Sequence, residues 1–290
     1  MPFCTADPNL RNDWLTVGAA SQLRAAPAAH PVPARLLGND LLLWQNDAAA
    51  PHCSADGRAL PIISRYGYLW VHTGDGPAPA LFELPEFAQP GRRIVDCGGI
   101  GVATSGLRVV ENFLDMAHFP YVHTGTLGKV PHTEVAPYRT AVDAASGEIW
   151  ATECHFFQPR ASASAGDGID AHYRYRVMQP FTAALYKTCP NRAGEWDVIG
   201  LFVQPLDDEQ VIAHVLLVYD EDVLLDAEMI AFQHMIFGQD KPILESQRPR
   251  RLPLSGPLEA HMRCDLTSST YRRWLRQRGV TFGVHREPGA

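Results

Sequence analysis

Apolar and polar positions alternate with period two through the middle of the chain. Residues 148–159, 171–187, 196–205 and 210–220 are rich in β-branched and aromatic side chains, and Tyr173, Tyr175 and Val177 fall on one side of the alternation. Each stretch predicts a β-strand. The Ser/Ala/Gly run at 161–168 predicts a hairpin loop between the first two. The pattern then becomes helical. Residues 221–247 predict one long helix, rich in Asp, Glu, Leu, Ala and Met at its start. A second helix is predicted over 266–278, stopped by Gly279. Strands followed by a long helix predict an α+β fold.

The first hundred residues read as short strands and turns. Residues 24–35, rich in Ala and Pro, predict a loop. Residues 35–44 predict a hairpin turning at Gly38-Asn39 or Asn39-Asp40. Asp56-Gly57-Arg58 predicts a turn, and residues 65–74 predict a single strand.

Composition narrows the function classes. The chain has 290 residues, 46% of them hydrophobic, enough for one large domain or a medium domain with an appendage. A net charge of −7 argues against a nucleic-acid partner. No apolar run is long enough to cross a bilayer, and residues 1–14 carry no apolar signal core. Six scattered cysteines without paired spacing fit a reducing cytoplasm.

The richest chemistry lies in Glu111-Asn112-Phe113-Leu114-Asp115-Met116-Ala117-His118-Phe119-Pro120-Tyr121-Val122-His123. Two histidines and one distant carboxylate, with coordination positions left open, describe the facial triad of non-haem Fe(II) oxygenases. His118 and His123 are five residues apart, so a regular helix would set their rings about 140° apart. They share one metal if the helix ends or widens between them, and Pro120 is expected to supply the disturbance.

The segment resembles the Asn-x-x-Asp-x-x-His-x-x-x-x-His iron motif of Rieske non-haem iron oxygenase α-subunits at every specified position. The resemblance implies a mononuclear Fe(II) held by His118, His123 and a third ligand. Asp240, in Gln239-Asp240-Lys241-Pro242-Ile243-Leu244-Glu245, resembles the family's ligand aspartate, with Glu245 as its competitor. Pro242 is expected to break the helix locally and turn Asp240 inward. Asp115 is implied to hydrogen-bond an iron-ligating histidine and to bridge toward the electron donor, with Asn112 beside it. Gln233 lies two turns before Asp240, with Ile236 and Phe237 on the same face. It either orients a planar polar substrate or is an ordinary buried glutamine.

A Rieske [2Fe–2S] centre needs two Cys and two His, usually as Cys-x-His and Cys-x-x-His. None of Cys4, Cys53, Cys97, Cys154, Cys189 and Cys264 has a histidine two or three positions later. Residues 10–14, 35–44 and 65–74 resemble framework strands of the Rieske domain, but only Gln45–Ser64 remain where the cluster lobe belongs. His52 and Cys53 there are expected to be leftover loop residues. The resemblance therefore implies a truncated Rieske-like β domain over 1–94 and a helix-grip iron domain over 95–290, with an antiparallel sheet around the long C-terminal helix.

Among family branches, the chain most resembles the cluster-less component of bacterial methylxanthine N-demethylase systems. That implies O₂-dependent hydroxylation of an N-methyl group on a small methylated heterocycle, 7-methylxanthine to xanthine, with release of formaldehyde. It implies a hetero-oligomer in which a Rieske-containing reductase supplies the [2Fe–2S] centre and the NAD(P)H and flavin chemistry, and a glutathione-transferase-like subunit is structural. Two alternatives remain. One is an aromatic O-demethylase or hydroxylase fed by a separate ferredoxin, and the other is a non-catalytic structural subunit.

Overall fold

The computed structural model describes residues 7–24, 27–160, 168–189, 192, 194–220, 223–256 and 258–286. The predicted loop at 161–168 and the first two residues of the predicted long helix therefore lie almost wholly outside the described residues.

The chain opens with a one-turn helix, α1 (Pro8–Arg11), where a strand was expected. The Asp7 carboxylate accepts hydrogen bonds from the N–H of Asn9 and Leu10, and Pro8 is preset for a first helical turn. The strand begins only at Trp14, as β1 (Trp14–Ala19).

Three hairpins follow. β2 (Val32–Leu36) and β3 (Asn39–Gln45) turn at Leu37-Gly38, one residue before the predicted turn. β2 also takes in the end of the expected Pro-rich loop. Pro33 is tolerated because β2 is an edge strand of its sheet. β4 (Pro51–Ala55) and β5 (Arg58–Leu60) turn at Asp56-Gly57, as predicted. β6 (Ile62–Arg65) and β7 (Tyr68–His72) turn at Tyr66-Gly67, so residues 65–74 hold a strand end, a turn and a second strand. Both residues of each turn have positive φ, the geometry that matches the twist of the paired strands. The strands form a three-stranded sheet ordered β1-β7-β6 and a four-stranded sheet ordered β2-β3-β4-β5.

His52 and Cys53 lie on β4, not in a loop. His52 stacks on Trp44 with centroids 5.5 Å apart, and burial pushes the Cys53 thiol up to about 12.

The remaining elements are β8 (Arg93–Val102), α2 (Gly106–Phe113), α3 (Phe119–Val122), β9 (Arg139–Val142), β10 (Ile149–Gln158), β11 (Ile169–Gln179), β12 (Thr182–Thr188), β13 (Trp196–Pro205), β14 (Val211–Tyr219), α4 (Asp226–Ser246) and α5 (Leu266–Gln277). The strands form one antiparallel sheet ordered β8-β14-β13-β12-β11-β10-β9. The predicted strand at 171–187 is a tight hairpin, because Pro180 offers no N–H to continue the ladder. α5 ends as predicted, with Gly279 at φ 71°.

α4 packs along β8, where His234 Nε2 lies 2.6 Å from the Cys97 carbonyl. It runs unbroken through Pro242 to Ser246, against expectation. Pro242 and Gly238 both face solvent, so water can satisfy the carbonyl that loses its partner. Asp240 reaches inward simply because it shares the buried face of α4 with Met229, Ile236, Phe237 and Leu244. One apolar core joins residues before and after position 95, from Leu15 and Leu43 to Val95, Val215 and Leu244.

Candidate metal centre and its cavity

α2 carries the first part of the motif. Ser105 caps it, its hydroxyl accepting from the Leu107 N–H. Arg272 of α5 holds its far end, with Nη2 2.7 Å from Glu111 Oε2. The helix stops at Leu114. The Asp115 carboxylate then accepts from the N–H groups of Ala117 and His118, at 2.8 and 3.2 Å, which starts a new turn. That turn is α3, flanked by His118 on one side and His123 on the other. Pro120 sits in its first turn, where its fixed φ favours initiation. The two histidines thus converge because one helical turn begins and ends between them, not because a proline disrupts a longer helix.

His118 Nε2 and His123 Nε2 are 3.1 Å apart, and Asp240 Oδ1 lies 3.4 and 3.1 Å from them. Three donors about 2.1 Å from one ion and at right angles would be about 3.0 Å apart. The spacing is therefore that of one face of an octahedron. Hydrogen bonding reinforces this reading. His118 Nδ1 lies 2.9 Å from Asp115 Oδ2, and His123 Nδ1 lies 2.8 Å from Gln239 Oε1. Both partners are acceptors, so both Nδ1 atoms carry hydrogen. With both imidazoles neutral, the two Nε2 lone pairs and the Asp240 carboxylate face one another with no donor among them, and without a metal ion a proton on His118 meets the conflict. A cation resolves that conflict, and imidazole with carboxylate suits iron(II). Among the described residues, no other cluster of three His, Cys, Asp or Glu groups converges in this way.

The titration behaviour follows from the same crowding. Burial disfavours a charged His118, but hydrogen bonds and charge from Asp115 and Asp240 outweigh it and raise its pKa to about 9. Burial disfavours a charged Asp240 too, and its hydrogen bonds to His118 and His123 outweigh that, lowering it to about 2. Glu245 does not join the three. It is committed to the Ala103 N–H at 3.0 Å and to Lys241.

The three residues stand in the wall of a cavity of about 840 Å³, counted to its mouth, between the large sheet and α2, α3 and α4. Asn112, Gln233, Ile236 and Phe237 all line it. Sequence reasoning assigned no role to Gln239, although it adjoins Asp240. It also missed Gln158, Tyr173, Tyr175 and Lys187, which bring polar atoms to the sheet side of the cavity. Nothing in a strand's alternation marks such residues.

Residues 102–280 match the family described as the vanillate O-demethylase oxygenase C-terminal domain. The chain is 47% identical over 276 residues to a Pseudomonas sp. (strain TJI-51) protein curated as "Probable methylxanthine N7-demethylase NdmC", covering 95% of this chain and 96% of that one. The chain belongs to the Rieske oxygenase family. As a Rieske oxygenase it is an oxidoreductase of the monooxygenase type. It is also 26% identical to the methylxanthine N1-demethylase NdmA of Pseudomonas putida, over 73% of this chain but only 58% of that longer relative. The solved structure of NdmB from Pseudomonas putida CBB5 superposes with a TM-score of 0.74 at 20% identity, covering 94% of this chain and 92% of that one, and so shares its fold. No helix of the described residues is long and apolar enough to cross a membrane.

Proposed function

We propose that this Rieske oxygenase is the iron-bearing component of a methylxanthine N-demethylase and converts 7-methylxanthine to xanthine. The observation that carries the reading is 47% identity across almost the whole length of a relative named for N7-demethylation. The three-ligand site beside a mostly apolar cavity supports it. Iron(II), held by His118, His123 and Asp240, supplies O₂ activation when bound. In balance, the N-methyl group, O₂, two electrons and two protons give an N-hydroxymethyl group and water. The N–CH₂OH carbon then leaves as formaldehyde, and the ring nitrogen keeps the proton.

The chain's own residues bind and orient. Asp115 and Gln239 fix the histidine tautomers. Ile236 and Phe237 pack against a flat ring, Gln233 offers it an amide, and Asn112 lines the wall next to the ligands. Asp115 serves as the contact point for an external donor, a role supported by its side chain being 26% exposed while its carboxylate holds His118. The donor is a separate Rieske-containing reductase bringing [2Fe–2S], flavin and NAD(P)H. Residues 1–94 form the β framework of a Rieske domain without its cluster lobe, and a glutathione-transferase-like subunit completes the cytoplasmic complex.

A second reading, O-demethylation of a methoxybenzoate, rests on the name of the matching family model. Formaldehyde release with reductase, iron-loaded chain and a panel of methylxanthines and methoxybenzoates separates the two. About one iron per chain, no labile sulfide and formaldehyde from 7-methylxanthine are expected. Formaldehyde only from methoxybenzoates would overturn the substrate, and failure to bind iron after anaerobic reconstitution would make the chain a structural subunit.

A further inference from the structure

One residue of the cavity wall carries a polar group that the iron site does not use. Tyr219 ends β14, and it lines the cavity together with Val215 on the same face of the strand. Its ring is half-buried and packs on the apolar core. Its hydroxyl makes no hydrogen bond among the described residues, yet it is not sealed in protein as the hydroxyls of Tyr173 and Tyr175 are. The space it borders is the cavity. A polar group taken out of bulk water costs free energy until a partner replaces the water, so a free hydroxyl on a small-molecule cavity is placed for a ligand to complete.

Register sets this hydroxyl apart from the iron ligands. Tyr219 pairs with Arg93 at the start of β8, and Arg93 bonds Leu224 and Asp226 where α4 begins. Asp240 lies in the last third of α4, roughly 20 Å farther along at 1.5 Å per residue. Tyr219 therefore enters the cavity from the end nearer the start of α4. Burial holds its phenol well above the usual range, and the charge of Asp197 adds to that. The hydroxyl stays protonated and offers a donor to a neutral acceptor. A carboxylate finds no free cation there among the described residues. Lys187 is the lysine of that wall, it is already engaged, and burial disfavours its ammonium.

We infer that the Tyr219 hydroxyl anchors the substrate at the end of the cavity remote from the iron, donating a hydrogen bond to a ring carbonyl of a neutral planar heterocycle. The inference rests on the reading of this cavity as the site for 7-methylxanthine. That molecule carries its C2 carbonyl across the six-membered ring from the N7 methyl. A methyl group directed at the iron ligands therefore sends the C2 oxygen toward Tyr219. A 4-methoxybenzoate directed the same way sends a carboxylate there, and a neutral phenol alone does not compensate a buried charge. Tyr219 thus selects at the end of the molecule opposite the methyl group that reacts.

The test is calorimetric binding to the iron-loaded protein without O₂, with 7-methylxanthine, 7-methylhypoxanthine and 4-methoxybenzoate. 7-Methylhypoxanthine keeps the N7 methyl and the C6 carbonyl but lacks the C2 oxygen. Tyr219→Phe removes a hydroxyl with no protein partner to lose, so its Tm is expected to match that of the wild type. The variant is expected to weaken 7-methylxanthine about 5–10-fold and 7-methylhypoxanthine less than about twofold. A merely structural role for Tyr219 would move both ligands together. Equal weakening of the two, no weakening of 7-methylxanthine, or a fall in Tm that reveals a protein partner for the hydroxyl overturns the inference alone. Binding of 4-methoxybenzoate by a wild-type protein that takes neither purine overturns the inference and the xanthine reading together.

Discussion

Gln239 is the most exacting test of the iron site, because it touches neither the ion nor the substrate. Its Oε1 lies 2.8 Å from Nδ1 of His123, a side chain only 1% exposed. While that acceptor is present, hydrogen stays on Nδ1 and Nε2 is free to bind metal. In Gln239→Leu the metal-free protein does better with the other tautomer, placing hydrogen on Nε2 toward Asp240 Oδ1, 3.1 Å away. Iron must then push hydrogen back to Nδ1, where it is buried without a partner. An unsatisfied buried donor costs about 1–3 kcal/mol. The expected loss is therefore about 10–100-fold in iron(II) affinity, the usual range for residues that orient ligating histidines. Gln239→Glu keeps an acceptor and should retain affinity within about threefold. Gln233→Leu, which alters the same cavity without touching a ligand, should leave iron binding unchanged. The assay is anaerobic iron(II) titration against a competing chelator, with melting curves as a folding control. Wild-type affinity in folded Gln239→Leu, or equal loss in Gln239→Glu, would refute the reasoning.

Three further outcomes follow. Asp240→Ala should bind no iron and release no formaldehyde, while Glu245→Gln keeps iron near one per chain, as elemental analysis will show. Arg272→Met should lower stability by about 1–3 kcal/mol, read as a fall in Tm of about 5 °C, because it leaves the Glu111 carboxylate, 13% exposed on the helix that carries the motif, with Arg108 as its remaining ion-pair partner at 3.5 Å. The pH dependence of stability has two opposing sources. Burial lowers His214 from 6.5 to about 4, so the unfolded chain takes up that proton first and stability is lost as pH falls through this window. Burial raises Asp13 from 3.8 to about 6 despite Arg278, so the folded chain takes up that proton first and stability is gained as pH falls from 6 to 3.8. Each effect is worth up to about 3 kcal/mol. In urea titrations between pH 6.5 and 4, His214→Phe should gain stability relative to wild type as pH falls and Asp13→Asn should lose it; a parallel pair of curves would contradict both assignments.

The sequence by itself picked out the three side chains that converge. His118, His123 and Asp240 were legible because a metal demands particular side chains at particular spacings, and a spacing survives in one dimension. The strands at 196–205 and 210–220 and the helix at 266–278 were legible for a similar reason, since each has a periodicity of its own. What failed was local. The strand expected at 10–14 became a helix once Asp7 found the free N–H groups of Asn9 and Leu10, and the turn before β3 moved by one residue to suit strand twist. Neither outcome follows from alternation. Only the tertiary structure decided how the ligands meet. Asp240 needed no helix break, because α4 already lay with that face toward β8 and the cavity. Gln239 became a partner of His123 across 116 positions. Tyr173 and Lys187 became neighbours only through the register of β11 with β12. Polar residues on strands carry no signature of their own, and whether they meet solvent, a salt bridge or a ligand is fixed when the sheet closes over α4.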